Sequence, residues 1–156
     1  MSYIFDTSAF SQLFRNYYRG RFPTLWGQFD SLVQAGSITA TREVAREIED
    51  GPVATLRDWA KGQKPLFPSP AAEEGAFVSK IFAVRHFQQV IEQKKLLKGG
   101  KNADPFVIAR AAVLEATVVT IEGKPKNGAK IPNICEHFKI DCVSLEGFME
   151  REDWSF

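Results

Sequence analysis

The stretch ADPFVIARAAVLEATVVTIE, residues 103–122, constrains the fold more than any other part of the chain. Pro105 suits the first position of a helix and Asp104 suits the N-cap before it, while Phe106, Ile108, Ala109, Ala112 and Val113 form an apolar side. TVVTI then reads as a buried strand ending at Glu122. The chain begins on a similar run: residues 3–5, YIF, leave no room for a helix before Asp6 and read as a first buried strand. Between them, Leu25, Phe29, Leu32 and Val33 recur at helical spacing, with Thr24 as cap and Gly36 as stop. Residues 37–40 read as a second short strand, and TREVAREIEDG as a helix with Val44 and Ile48 facing inward. PLFPSP, with three prolines in six residues, is a loop. Phe77, Ile81, Val84, Phe87 or Gln88, and Ile91 predict one longer helix running to the basic end KKLLKGGKN, where Gly99 and Gly100 break it. GKPKNGAKIPN is a basic connection, and DCVSL the last strand. Strands alternating with helices predict an α/β domain around a mostly parallel sheet, with residues 1–156 as a single domain.

In such a sheet the ligand crevice lies outside the carboxyl ends of the strands, where Asp6 and Glu122 both fall. Carboxylates gathered at one edge raise one another's pKa values and cost stability unless a cation neutralises them. Hard oxygen donors suit Mg²⁺ or Mn²⁺, which act on phosphate substrates by activating a bound water. The formal net charge of +1 provides no large field for attracting nucleic acid, so local patches must do so. Residues 1–5, MSYIF, lack the basic start and apolar core of a secretion signal, and no run is long enough for a membrane span, so a cytoplasmic protein is expected. Cys135, His137 and Cys142 match no familiar zinc spacing, and the cysteines are expected to be free thiols. No serine or cysteine nucleophile with a partner base is evident, and His86 and His137 lie away from the acids, so no histidine general base is expected.

YIFDTSAF, the VAREI helix with its Glu47, NADPFVIARA and VVTIEG together resemble the PIN-domain nucleases, in particular the toxin branch of toxin–antitoxin pairs. The likeness runs over nearly the whole chain. It implies a three-layer α/β/α domain with a five-stranded mostly parallel sheet, Mg²⁺- or Mn²⁺-dependent endoribonuclease activity and a cognate antitoxin partner. Carried over residue by residue, Asp6 matches the family's first acid, Glu47 the helix acid, Asp104 the third and Glu122 the last. The family often has Asp at the last position, so Glu122 adds a methylene. Glu43, one turn before Glu47, competes for the second place; Glu47 is favoured because an apolar residue, Ile48, follows it directly. Thr7, Ser8 and Thr120 are candidates for orienting Asp6, or a metal-bound water, by hydrogen bonds. A haloacid-dehalogenase-type phosphohydrolase would need a second Asp where this chain has Ser8.

Simpler roles stand beside these. Asp104 serves as an N-cap without any catalysis, Asp6 can make an Asx turn, and Glu43 suits the first turn of a solvated helix. RNYYRGRF, residues 15–22, offers Arg15, Tyr17 and Arg19 for gripping single-stranded or tRNA-like RNA, or is a solvated turn whose tyrosines cover the core. Lys94, Lys95, Lys98 and Lys101 read as a soluble basic face. Trp26, Trp59 and the apolar stripe of residues 77–91 read as core, or as the face of a homodimer or antitoxin contact. A PIN-like module that binds RNA or protein without cutting is the rival reading.

Overall fold

Strand β1 (Tyr3–Phe5) is fully buried in the computed structural model, which describes residues 1–100 and 102–156. A strand with no exposed residue is covered on both faces, as parallel sheets are. β2 (Ile38–Thr39), β3 (Thr117–Val119) and β4 (Cys142–Val143) join it in the order β2-β1-β3-β4. Every pairing is parallel, with Tyr3 opposite both Ile38 and Thr117, and Val119 opposite Val143. Among the described residues the sheet thus has four strands, not the five that the family resemblance implies. The four coincide with the four β-rich runs of the sequence. The described residues between 42 and 114 go to helices and loops and leave no run for a fifth.

Helices α1 (Thr7–Asn16), α2 (Pro23–Gln34), α3 (Arg42–Glu49), α4 (Ala54–Lys61), α5 (Ala72–Ala83), α6 (Arg85–Leu97), α7 (Asp104–Leu114), α8 (Ile131–Phe138) and α9 (Leu145–Arg151) complete the order. Local chemistry accounts for several ends. Thr41 Oγ1 accepts the Val44 N–H at 3.2 Å to cap α3, and Ser144 Oγ accepts that of Gly147 at 3.0 Å to cap α9. α2 starts at Pro23, whose fixed φ suits a first turn, so Thr24 lies inside the helix instead of capping it. Lys64–Leu66 makes one 3-10 turn at the edge of the proline-rich loop.

The long helix expected through residues 77–91 is two helices. Val84 is extended (φ −84°, ψ 105°), ending α5 and starting α6. A single-residue break leaves the apolar spacing nearly unchanged, so periodicity cannot register it. The break re-aims α6. The buried side of α7 also differs from expectation: Val107, Ile108, Ala109 and Ala111 are buried, whereas Val113 is exposed. α7 packs against α5 as well as β1 and β3, so its covered face is wider than one stripe.

The core centres on Phe5, whose ring lies 5.0 Å from Phe10, 5.1 Å from Phe148 and 6.2 Å from Phe29. Trp26 extends it through Phe14 at 4.8 Å, and the half-buried Trp59 packs against it at 5.0 Å from the same ring. Among the described residues no helix is long and apolar enough to cross a membrane.

Candidate active site

Asp6 follows β1 directly, and its N–H still bonds to the Val119 carbonyl of β3 at 3.0 Å, so the sheet sets where its side chain starts. Glu47 comes from the last turn of α3, Asp104 from the first residue of α7, and Glu122 from the loop after β3. All four line one cavity of about 370 Å³ at the carboxyl edge of the sheet.

Each acid is held by named donors. Asp6 Oδ2 accepts from Ser8 Oγ at 2.6 Å and Thr120 Oγ1 at 2.8 Å. Thr120 Oγ1 in turn accepts the Glu122 N–H at 3.2 Å, tying the two acidic segments together. Thr7 does not reach Asp6: its hydroxyl donates to Glu47 Oε1 at 2.6 Å. The other Glu47 oxygen accepts the Ala103 N–H, at the start of α7, at 3.2 Å. Glu122 Oε2 accepts the Ile131 N–H at 3.1 Å, where the positive end of α8 favours a carboxylate. Thr120→Val keeps the fold and removes the hydroxyl that joins Asp6 to the Glu122 backbone. Because that hydroxyl lowers the Asp6 pKa, Asp6 is expected to titrate still higher in the variant, read from its carboxyl carbon shift in an NMR pH series.

The electrostatics show the cost of the cluster. Burial, then the charge of Asp104, push Asp6 up to about 7, against the lowering effect of the Ser8 hydrogen bond. Asp104 is likewise raised, by burial first and by Glu122 second. The relief comes from α6. The Lys94 ammonium bonds to Asp104 Oδ2 and, at 2.9 Å, to Glu122 Oε1; Lys98 bonds to Glu47 Oε2 at 3.1 Å. Burial alone would lower the Lys94 pKa, but the Asp104 charge and the bonds to both acids outweigh it and raise it.

Three expectations change here. Asp104 is not an N-cap: Ala103 occupies that position and Asp104 turns its carboxylate to Lys94. Glu43 is not a solvated helix residue: it is buried outside the acidic cavity with its Oε2 held by Arg42 at 2.9 Å, while Glu47 lines the cavity with the other acids. Lys94 and Lys98 are not a solvated face but cations of the site, and their i, i+4 spacing on one side of α6 was the available signal. Lys101 lies outside the described residues.

Arg15, Tyr17 and Arg19 do not line the acidic cavity. Arg19 forks onto Asp30 at 2.9 and 3.2 Å and stacks 4.3 Å from the Trp26 ring centre. Tyr17 packs on Phe22 and accepts the Trp26 indole N–H at 2.8 Å through its carbonyl. Arg15 is exposed near the end of α1.

Four carboxylates with hydroxyls beside them form the hard-oxygen donor set that Mg²⁺ or Mn²⁺ prefers. No three His, Cys, Asp or Glu side chains among the described residues are gathered within joint ligating reach.

The sequence matches the family described as "Domain of unknown function (DUF4411)" over residues 3–156. No curated protein matches it. Among solved structures, the crystal structure of VapBC2 from Rickettsia felis bound to a DNA fragment from their promoter is similar in fold, with a TM-score of 0.51. That likeness covers 92% of this chain and 98% of that one at 13% sequence identity.

Proposed function

This chain belongs to the DUF4411 family, a domain of unknown function, and we propose that it is a divalent-metal-dependent endoribonuclease and the toxin of a toxin–antitoxin pair. The observation that carries the reading is the meeting of Asp6, Glu47, Asp104 and Glu122, from four separate elements, in one cavity at the carboxyl edge of a parallel sheet. The PIN-domain resemblance of the sequence and the fold shared with VapBC2 point the same way.

Asp6 and Asp104, with Glu47 and Glu122 around them, are the residues to hold Mg²⁺ or Mn²⁺. When bound, such an ion supplies a water of lowered pKa and offsets charge on the phosphate oxygens. The chain's own part is orientation. Ser8 and Thr120 fix the Asp6 carboxylate, Thr7 fixes Glu47, and the start of α8 fixes Glu122. The protein forms no covalent intermediate in this scheme. RNA, single-stranded or tRNA-like, is the proposed substrate, with Arg15, Tyr17 and Arg19 as contacts beyond the acidic cavity, and a cognate antitoxin is the proposed partner. A cytoplasmic site of action and a homodimer go with this reading.

Incubating a mixed RNA pool with the protein in Mg²⁺, Mn²⁺ or chelator tests the activity. Cleavage with metal and none with chelator is expected, and RNA left intact under all three conditions rules the nuclease out. One observation favours the rival reading of a non-cutting binding module: Lys94 and Lys98 already pair with Glu47, Asp104 and Glu122. The module predicts RNA binding with no metal-dependent cleavage. Side-chain choice on α3 gives a second check. Glu47→Gln is expected to slow cleavage at least about tenfold, and Glu43→Gln to leave it unchanged. Equal losses in rate assays of the two variants would mean that α3 faces the substrate differently.

A further inference from the structure

We propose that Lys94 is a resident cation of the acidic cluster, its ammonium bridging Asp104 and Glu122 where a second metal ion would need ligands, so that the chain holds one divalent ion. The inference rests on the metal-dependent reading above and deepens it.

An account of the carboxylate oxygens leads to this count. Asp6 Oδ2 is taken by Ser8 and Thr120, and Glu122 Oε2 by the Ile131 N–H. Glu47 gives one oxygen to Thr7 and the other to Ala103 and Lys98. Lys94 bonds to Asp104 Oδ2 and Glu122 Oε1 together. Of these four acids this leaves Asp6 Oδ1 and Asp104 Oδ1 without a hydrogen bond to a described residue, at the end of β1 and the start of α7; Asp50, just after α3, also lines the cavity. Two open oxygens on neighbouring segments suit one ion completed by waters, as Mg²⁺ and Mn²⁺ prefer. A second ion, roughly 4 Å from the first in sites of the two-metal kind, would need oxygens that Lys94 already bridges.

Lys94 is built into this position. Its side chain is 25% exposed, whereas Lys98, one turn further along α6, is 37% exposed and reaches Glu47 alone. The extended Val84 starts α6, the helix that carries both lysines. A lysine bonded to two acids at once keeps its place when one ion enters, because Asp104 and Glu122 remain its partners.

The test counts ions without substrate. Mn²⁺ is titrated into the full chain at pH 8, with free Mn²⁺ read by electron paramagnetic resonance and the stoichiometry checked by calorimetry. The expected counts are one Mn²⁺ per chain for wild type, two for Lys94→Met, and one for Lys94→Arg and Lys98→Met. In Lys94→Met the first ion is expected to bind at least about tenfold more tightly, since one positive charge has left the pocket. Two ions in the wild type would mean that Lys94 gives way to metal, which overturns the proposal whether or not the variants fold. Lys94→Met that is folded by circular dichroism and still binds one ion at unchanged affinity overturns it as well. No Mn²⁺ binding by the wild type would overturn the metal-dependent nuclease reading and this proposal with it, an outcome distinct from the other two.

Discussion

Asp6→Asn is expected to reduce RNA cleavage at least about a hundredfold and at the same time to make the metal-free protein more stable at pH 8 than its parent. The two effects come from one carboxylate. Burial and the charge of Asp104 raise its pKa from the ordinary 3.8 to about 7. Between those two values the folded chain holds a proton that the unfolded chain has released. Stability therefore falls as pH rises from about 4 to 7 and is level above, the sign expected for a carboxylate with a raised folded pKa. The loss is on the order of a few kcal/mol, or several degrees in melting temperature for a chain of this size. The amide of the variant carries no charge and escapes it, while the hydroxyls of Ser8 and Thr120 still find an acceptor oxygen. Thermal melts of both proteins at pH 5 and pH 8 in chelator measure the difference. Excess Mn²⁺ at pH 8 should raise the melting temperature of the parent and leave the variant nearly unmoved. If Asp6→Asn destabilises the protein equally at both pH values, Asp6 is not an ionised acid held among other acids, and its place in the site is wrong.

Phe5→Ala carries the largest expected loss of stability, about 3 to 5 kcal/mol. Phe5 is fully buried and its ring meets Phe10, Phe29 and Phe148 from three helices, so truncation opens a cavity bounded by elements that cannot all close in. A melting temperature lower by roughly 6 to 20 °C is expected in calorimetry. The residue also joins the core to the site, because Asp6 is next in the chain and its carboxylate geometry depends on β1 staying in register. Cleavage is therefore expected to fail at temperatures where the parent still works. A shift below about 2 °C would mean that Phe5 is not the centre of the core.

The elements near the acids differ in how far they could be read from residues alone. β1, β3 and α3 carry local signals: a short apolar run, a β-branched run, and Thr41 before an amphipathic helix. The same holds for Asp6, Glu47 and Glu122 beside those elements and for Asp104 at the start of α7, which come to one edge once the strands are parallel. Asp104 shows the limit of local reading. Asp before Pro at a helix start is a good cap, but an ammonium ten residues earlier in the chain offered its carboxylate a charged partner, and the helix begins one residue sooner than capping requires. Thr7 likewise prefers a carboxylate forty residues away over the acid beside it, because the start of α1 faces α3.

Periodicity and residue chemistry were enough to state an α/β protein with a parallel sheet and acids at its carboxyl edge, since both follow from neighbours within a few residues. The two lysines paired with the acids and the split at Val84 were not legible in that way. Each depends on which distant surfaces meet in the folded chain. A lysine looks the same in a sequence whether it faces water or a carboxylate. Only packing brings Lys94 to Asp104 and Glu122, where the low dielectric makes the pairing matter.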